Sequence, residues 1–160
     1  MSDASTGRHV LLLTVDNKPG VLSRITGLFT RRGYNIESLI TGPTEDDAVY
    51  HITATMLGSP DEVALLARQL ARIMEVISIR TDLDKTIAYA VSERLLIKVR
   101  RPADGTLPLP HSARVVRAGD STVAVEITGS EEELLAARDA LAPYGILETL
   151  HSGAMLLPLE

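Results

Sequence analysis

The sequence contains no cysteine and no tryptophan, and only one of its 160 residues is phenylalanine. Without cysteine the chain has no disulfide framework, no thiolate nucleophile and no cysteine-ligated metal. Its single phenylalanine and four tyrosines leave few rings on which nucleic-acid bases could stack. No apolar run approaches the roughly 18 residues that a membrane-spanning helix needs. We therefore expect a cytoplasmic protein that binds neither nucleic acid nor membrane.

The sequence also lacks a block of one charge sign and a cluster of catalytic residue types. The formal net charge is −5, both signs are spread along the chain, and no basic stripe of the kind that binds phosphate is visible. No serine lies in a nucleophile elbow. The four histidines are far apart in sequence, at His9, His51, His111 and His151. We predict no catalytic residue and no metal site.

Residues 10–40 show the pattern strand, tight turn, helix, strand. Residues 10–15 are all apolar or β-branched and predict a largely buried strand. Pro19 and Gly20 end it, because proline lacks an N–H and glycine permits a tight turn. Gly33 follows where a helix C-cap glycine belongs. Between the two glycines an apolar stripe predicts an amphipathic helix: Val21, Leu22, Ile25, Leu28 and Phe29.

The start of that helix is a candidate anion site. The first turn of a helix has unsatisfied N–H donors and the positive end of the helix dipole. A small carboxylate could therefore bind near Gly20 without a positively charged side chain. Pro-Gly is also simply a good turn sequence, and spacing alone favours that plainer interpretation.

The rest of the first half completes a βαββαβ pattern. Residues 50–56 alternate between apolar and polar and predict a strand. Ser59 and Glu62 form a capping box, with proline at the first helical position, and so predict a second helix. A last strand follows. We predict an α+β protein whose ferredoxin-like domain spans residues 8–83, followed by a linker at 84–92.

The second half, residues 93–160, reads as a reduced copy of the first. A strand at 94–100 leads into a segment with Pro108 and Pro110, which cannot be helical. A hairpin, a helix capped by Ser130 with Glu133, and closing strands at 146–151 and 155–157 follow. We predict a ferredoxin-like α/β domain that lacks its first helix.

Two motifs carry a resemblance to a known family. The pattern Asp-x-x-Pro-Gly-Val-Leu-x-x-Ile at residues 16–25 resembles an ACT domain, a small amino-acid-sensing module. The string Arg-Gly-Tyr-Asn-Ile-Glu-Ser-Leu at 32–39, in register with it, resembles the regulatory small subunit of acetolactate (acetohydroxyacid) synthase. Residues 92–99 and 146–157 are similar to the opening and closing strands of the C-terminal domain of that subunit. The family normally has a helix where this chain has its proline-rich segment.

The resemblance implies a function that the residues alone do not. It implies a non-catalytic subunit that activates a thiamine-diphosphate-dependent catalytic subunit and confers feedback inhibition by a branched-chain amino acid, most typically valine. Thiamine diphosphate, magnesium and FAD would belong to that partner, and this chain would hold no cofactor. The effector would bind between the ACT domains of a homodimer. The residues that match the family's binding elements are Asn17, Gly20, Val21, Leu22, Asn35 and Ile36.

We expect these residues to bind different chemical groups of the effector. Backbone N–H groups at Gly20, Val21 and Leu22 would take the effector's carboxylate, and the side-chain amides of Asn17 and Asn35 would bind its charged groups. The aliphatic side chains of Leu22 and Ile36 would contact the branched side chain of the effector.

Two alternative functions remain, and the position of the homodimer contact is left open. The chain could be a stand-alone ACT-type sensor that regulates another enzyme or a transcription complex. A small ferredoxin-like enzyme would need a cluster of ionisable groups, which the sequence does not offer. The homodimer contact could be the sheet edge or the back face that carries His51, Thr53 and Thr55.

Overall fold

The computed structural model describes residues 6–82 and 88–159. Leu83 and residues 84–87 of the predicted linker lie outside the described residues. Two compact units result: one takes in the described residues up to Ala90 and from Leu156 onward, and the other is Val91–Met155. The elements in chain order are β1 (Gly7–Asp16), α1 (Val21–Arg32), β2 (Ile36–Pro43), β3 (Val49–Gly58), α2 (Pro60–Leu70), β4 (Val76–Thr81), β5 (Ala88–Arg100), β6 (Ala113–Ala118), β7 (Thr122–Gly129), α3 (Glu131–Leu141), a 3-10 turn (Ala142–Tyr144) and β8 (Ile146–Leu159).

The first unit has the predicted βαββαβ order. Its antiparallel sheet has the strand order β2-β3-β1-β4, so β2 and β4 are the edge strands. The helices cover one face, and their apolar stripes meet the inward positions of β1 and β3 in a single core. That core consists of Leu11, Leu13, Val15, Val21, Ile25, Phe29, Ile52, Ala54, Met56, Val63, Leu66 and Leu70.

Helix α1 begins and ends at the two predicted glycines. Gly20 has φ +86° and Gly33 has φ +74°, a region that side chains with a Cβ rarely occupy. At the C-terminus the N–H of Gly33 donates to Thr30 O at 3.1 Å, and that of Tyr34 donates to Phe29 O at 3.0 Å. These bonds occupy the residues just after the helix, so the second strand predicted within residues 10–40, β2, begins only at Ile36.

The back face of this sheet is more buried than its polar sequence suggests. Thr53 is 5% exposed and Thr55 is fully buried within the single chain. The Ser38 hydroxyl donates to Thr55 Oγ1 at 2.8 Å, and Leu12, opposite Thr53 in the register, is also buried. The centre of the predicted back-face contact is therefore not a free surface.

The second unit confirms the missing helix. Its sheet order is β6-β7-β5-β8, and α3 packs on one face. Residues 101–112, between β5 and β6, contain turns and no helix. Leu107 and Leu109 from this segment pack against the core, so two leucines of an irregular chain supply apolar contacts that a helix would otherwise make. The core consists of Leu95, Ile97, Val99, Val123, Val125, Ile127, Leu134, Ala137 and Leu141.

Strand boundaries in the second half differ from the sequence prediction. Strand β5 begins at Ala88, so residues 88–92 of the predicted linker are extended chain in a sheet. The two closing strands predicted at 146–151 and 155–157 form one strand, β8, because Gly153 with φ +82° lets the chain continue in the sheet through an irregular position.

Candidate functional site

A small cavity opens beside the turn that follows β1. Its volume is about 190 Å³, which suits a ligand smaller than a drug-sized molecule. Three of the six residues predicted for effector binding line it, namely Asn17, Val21 and Leu22. The remaining lining residues come from the turn, β1, β2 and β3, and they are Val15, Asp16, Lys18, Thr41, Tyr50 and Ile52.

Hydrogen bonds hold the turn after β1 in place. The N–H of Asp16 donates to Glu75 O at 2.8 Å, and that of Asn17 donates to Ala48 O at 2.7 Å. The Asn17 side chain donates from Nδ2 to Asp47 O at 3.0 Å. Asn17 therefore ties the turn to the loop between β2 and β3, while its Oδ1 remains an acceptor that can face a ligand.

The start of α1 presents free N–H donors. The N–H of Val21 donates to Lys18 O at 3.3 Å, and that of Arg24 donates to Gly20 O at 3.0 Å. The N–H groups of Gly20, Leu22 and Ser23 have no acceptor among the described residues. Gly20 and Leu22 thus keep the donors predicted for the carboxylate, whereas the N–H of Val21 is already used within the turn.

The charged side chains near the turn are paired with one another. Lys18 Nζ lies 2.6 Å from Asp16 Oδ2, and this hydrogen bond and the Asp16 charge raise the pKa of Lys18 above its ordinary value. Arg24 lies 2.5 Å from Glu75. Because these cations already have acidic partners, a bound carboxylate would rely mainly on the backbone donors and the helix dipole.

The apolar wall of the cavity combines residues predicted from the sequence with others that were not predicted. Leu22 is 40% exposed, although it belongs to the apolar stripe of α1, so it can contact a ligand. Val21 is buried in the core. Tyr50 and Ile52 were missed because their place beside the turn depends on the pairing of β1 with β3, which sets Val15 opposite Tyr50. The apolar and polar alternation along β3 predicted that Tyr50 and Ile52 share a face of the sheet, but it did not predict which residues of other strands lie beside them.

One chain does not bring all six predicted residues together. Asn35 is exposed just before β2, and Ile36 is half-buried opposite Met56 of β3. The cavity lies at the other end of β3, beside Tyr50. Six strand residues separate these two levels, or about 20 Å. A single chain therefore presents two separate halves of the predicted site.

Two kinds of feature are absent from residues 6–82 and 88–159. No group of three or more histidine, aspartate or glutamate side chains is arranged to hold a metal ion there. In the same ranges, no helix is both long enough and apolar enough to cross a membrane.

Comparisons with known proteins match two separate parts of the chain. Residues 11–78 match the family described as AHAS small subunit-like ACT domain, and residues 92–159 match the small subunit of acetolactate synthase. The chain is 33% identical over 155 residues to a probable acetolactate synthase small subunit of Archaeoglobus fulgidus, covering 94% of this chain and 96% of that protein.

Similar relatives occur in bacteria and plants. The acetolactate synthase small subunit of Bacillus subtilis is 35% identical, over 91% of this chain and 87% of that protein. Small subunit 2 of Arabidopsis thaliana, a chloroplastic protein, is 35% identical over 95% of this chain, which spans only 32% of the plant protein.

A solved structure supports the fold of nearly the whole chain. The acetolactate synthase small subunit of Thermotoga maritima superposes with a TM-score of 0.78 and 22% identity, covering 96% of this chain and 98% of that one. At that identity the likeness concerns the fold. The identity over almost the full length of the archaeal and bacterial relatives decides the family: this chain belongs to the acetolactate synthase small subunits.

Proposed function

We propose that this chain is the regulatory subunit of an acetolactate synthase and has no catalytic role of its own. It would activate the catalytic subunit, in the cytoplasm, and make that enzyme sensitive to feedback inhibition by a branched-chain amino acid, with valine the first candidate. Thiamine diphosphate, magnesium and FAD would be held by the partner. The observation that carries the effector proposal is the cavity beside free N–H donors at the start of α1.

The complete effector site would form between two copies of the chain. β2 is an edge strand, and antiparallel pairing of β2 with its counterpart across a two-fold axis is a common way to extend a sheet. An axis between the two Ser38 residues would set Ile36 of one copy opposite Ile40 of the other, next to Thr41. Thr41 lines the cavity. This arrangement would bring Asn35 and Ile36 of one chain beside the turn of the second.

The burial pattern favours this edge over the back face as the homodimer contact. Thr53 and Thr55 are buried in the single chain, so a second copy would gain little by covering them. A charged side chain at Thr53 would disturb the fold itself and would not report on dimer formation alone.

A ligand at this contact can regulate the partner only by binding two arrangements of the assembly with different affinity. A site composed of two chains meets that requirement directly. If the two copies rotate relative to one another, the distance between the N–H donors of one and Asn35 of the other changes. Effector affinity then depends on the arrangement of the assembly.

The test is acetolactate formation by the catalytic subunit, measured with and without this chain across a valine titration. Activation together with inhibition by valine is the expected result. Activation without any response to valine would refute the effector assignment and retain the partner. No effect on an active catalytic subunit would refute the proposal and favour a stand-alone amino-acid sensor.

A further inference from the structure

The outer face of the second sheet collects five cationic side chains. Leu95, Ile97 and Val99 of β5 are buried in the core, so the residues that alternate with them lie on the opposite face. Strand register adds residues of β6, because Arg114 pairs with Glu126 and Arg117 pairs with Ala124 of β7. The cations on this face, here called the basic face, are Arg94, Lys98, Arg100, Arg114 and Arg117.

Two acidic residues lie among these cations and leave an excess of positive charge. Glu126, whose side chain is 9% exposed, lies 3.2 Å from Arg94 and forms a short ion pair with Arg114. Lys98 pairs with Glu148 at 2.5 Å. Arg100 and Arg117 are exposed and have no acidic partner among the described residues. Five cations against two carboxylates give this face a positive field within a chain of net charge −5.

The buried carboxylate of Glu126 fixes the positions of two arginines on the basic face. A carboxylate that is nine-tenths buried needs cationic partners, and Glu126 takes them from the strands on both sides of it. The two guanidinium groups are thereby fixed in place while their side chains stay 55% and 73% exposed, for Arg94 and Arg114 respectively. Their outward N–H donors remain available to another molecule.

The shape of the face favours a protein partner over a small anion. It lies on a sheet surface that extends about 20 Å along β5 and about 14 Å across four strands. The groove between residues 108–112 and α3 does not open on it. An area of roughly 300 Å² is less than half of what one partner contributes to a standard interface, so the basic face would be part of a larger contact.

We propose that the basic face docks against an acidic surface of the catalytic subunit and speeds formation of the complex. The inference rests on the proposed function, since it names the surface that recognises the same partner. Charge complementarity of this kind acts mainly on the association rate and weakens as salt screens it.

The decisive variant is Arg100→Glu with Arg117→Glu. Neither side chain has an acidic partner in the described chain, so the substitutions break no ion pair of the fold. At about 50 mM salt we expect the association rate with the catalytic subunit to fall about tenfold or more. At about 300 mM salt the difference should shrink, because the Debye length falls below the spacing of the charges.

A matched control carries the same change in net charge elsewhere. Arg31→Glu with Arg72→Glu reverses two exposed arginines that lie outside the basic face and have no acidic partner among the described residues. This control should associate within about twofold of the wild-type rate. For each variant in the absence of the catalytic subunit, valine binding and the oligomeric state are also measured. Wild-type values of both show that the first unit is intact.

The outcomes separate this inference from the function on which it rests. If the wild-type chain does not bind the catalytic subunit, both fail. If the wild type binds and the double variant keeps its rate and salt dependence, the inference alone is wrong. A variant that becomes monomeric would identify a second copy as the occupant of the face. Loss of binding to a labelled nucleic acid with unchanged subunit association would identify a nucleic acid. Either result would overturn the proposal.

Discussion

Gly20 combines the two properties on which the candidate site depends. Its φ of +86° lets the chain turn from β1 into α1, and its N–H has no acceptor among the described residues. A Cβ built there would meet only Arg24 Nη1, at 3.9 Å. The space above the turn is therefore open to a ligand, and a substitution would strain the backbone without colliding with its surroundings.

We predict that Gly20→Asp abolishes valine binding while the chain stays folded. The aspartate carboxylate would lie where we propose that the effector's carboxylate binds, and the left-handed conformation would cost about 1–2 kcal/mol of stability. Gly20→Asn has the same shape without the charge and should bind more strongly than Gly20→Asp. Gly33→Asp, at a positive φ beyond the other end of α1, should bind valine normally. Calorimetric titration measures binding, and urea unfolding measures stability.

At this scale the sequence predicted the backbone better than the side chains. Gly20 and Gly33 have the positive φ that their positions at the helix ends suggested. Lys18 was overlooked because its pairing with Asp16 beside the cavity depends on the shape of the turn. The five cations of the basic face were also missed. β5 supplies three of them by alternation, but Arg114 and Arg117 join them only through the pairing of β6 with β7.

At the scale of elements, α2 of the first unit and α3 of the second unit begin with the same N-terminal capping motif. Ser59 with Glu62 and Ser130 with Glu133 both form complete capping boxes, as predicted. In each, the glutamate accepts a hydrogen bond from the backbone N–H of the serine at 2.7 Å. A glycine precedes each serine, and at Gly129 the glutamate carboxylate folds over the position that a Cβ would occupy.

We predict that Gly129→Ala lowers the stability of the second unit by about 1 kcal/mol, the typical cost of losing an N-cap. The added methyl group would push Glu133 out of its capping box. Gly119→Ala is the control in the same unit, since its Cβ would make only ordinary contacts, the nearest at 3.5 Å to Thr122 O. Equal stability of the two variants in urea unfolding would contradict this account of the cap.

The same boxes predict loss of stability in acid. Hydrogen bonds from the backbone and side chains of Ser59 and Ser130 lower the pKa values of Glu62 and Glu133 below their ordinary value. The unfolded chain therefore binds these protons more readily than the folded chain. The stabilisation is present above the unfolded pKa and is lost as pH falls through the folded pKa.

The matching variant is Glu62→Gln with Glu133→Gln, which keeps both boxes with side chains that do not titrate. We expect the free energy of unfolding of this variant to fall less than that of the wild type between about pH 6 and pH 3. Unfolding in urea at several pH values measures the difference. Identical pH profiles would show that other groups cause the acid sensitivity.

At the scale of the molecule, the sequence predicted the order and class of the elements but not how the site is assembled. Hydrophobic periodicity and turn residues were enough for βαββαβ followed by a copy without its first helix, because each signal is local. The 12 residues of α1 already separate Asn35 from the turn at Gly20 by a rise of about 18 Å. Local patterns do not contain the strand order, which leaves β2 at the edge of the sheet. The two groups of predicted site residues lie at levels about 20 Å apart along β3 in one chain, and this separation supports the proposal of a site shared by two chains.

The most direct test of that two-chain site is a mixing experiment. Gly20→Asp removes the turn half, and Asn35→Ala removes the half that begins β2, so each variant alone should fail to bind valine at concentrations that saturate the wild type. When the two are unfolded and refolded together, half of the dimers contain both chains. Each mixed dimer has one site with two intact halves, so about a quarter of the wild-type binding capacity should return. No recovery in a mixture shown to contain mixed dimers would contradict a site shared between two chains.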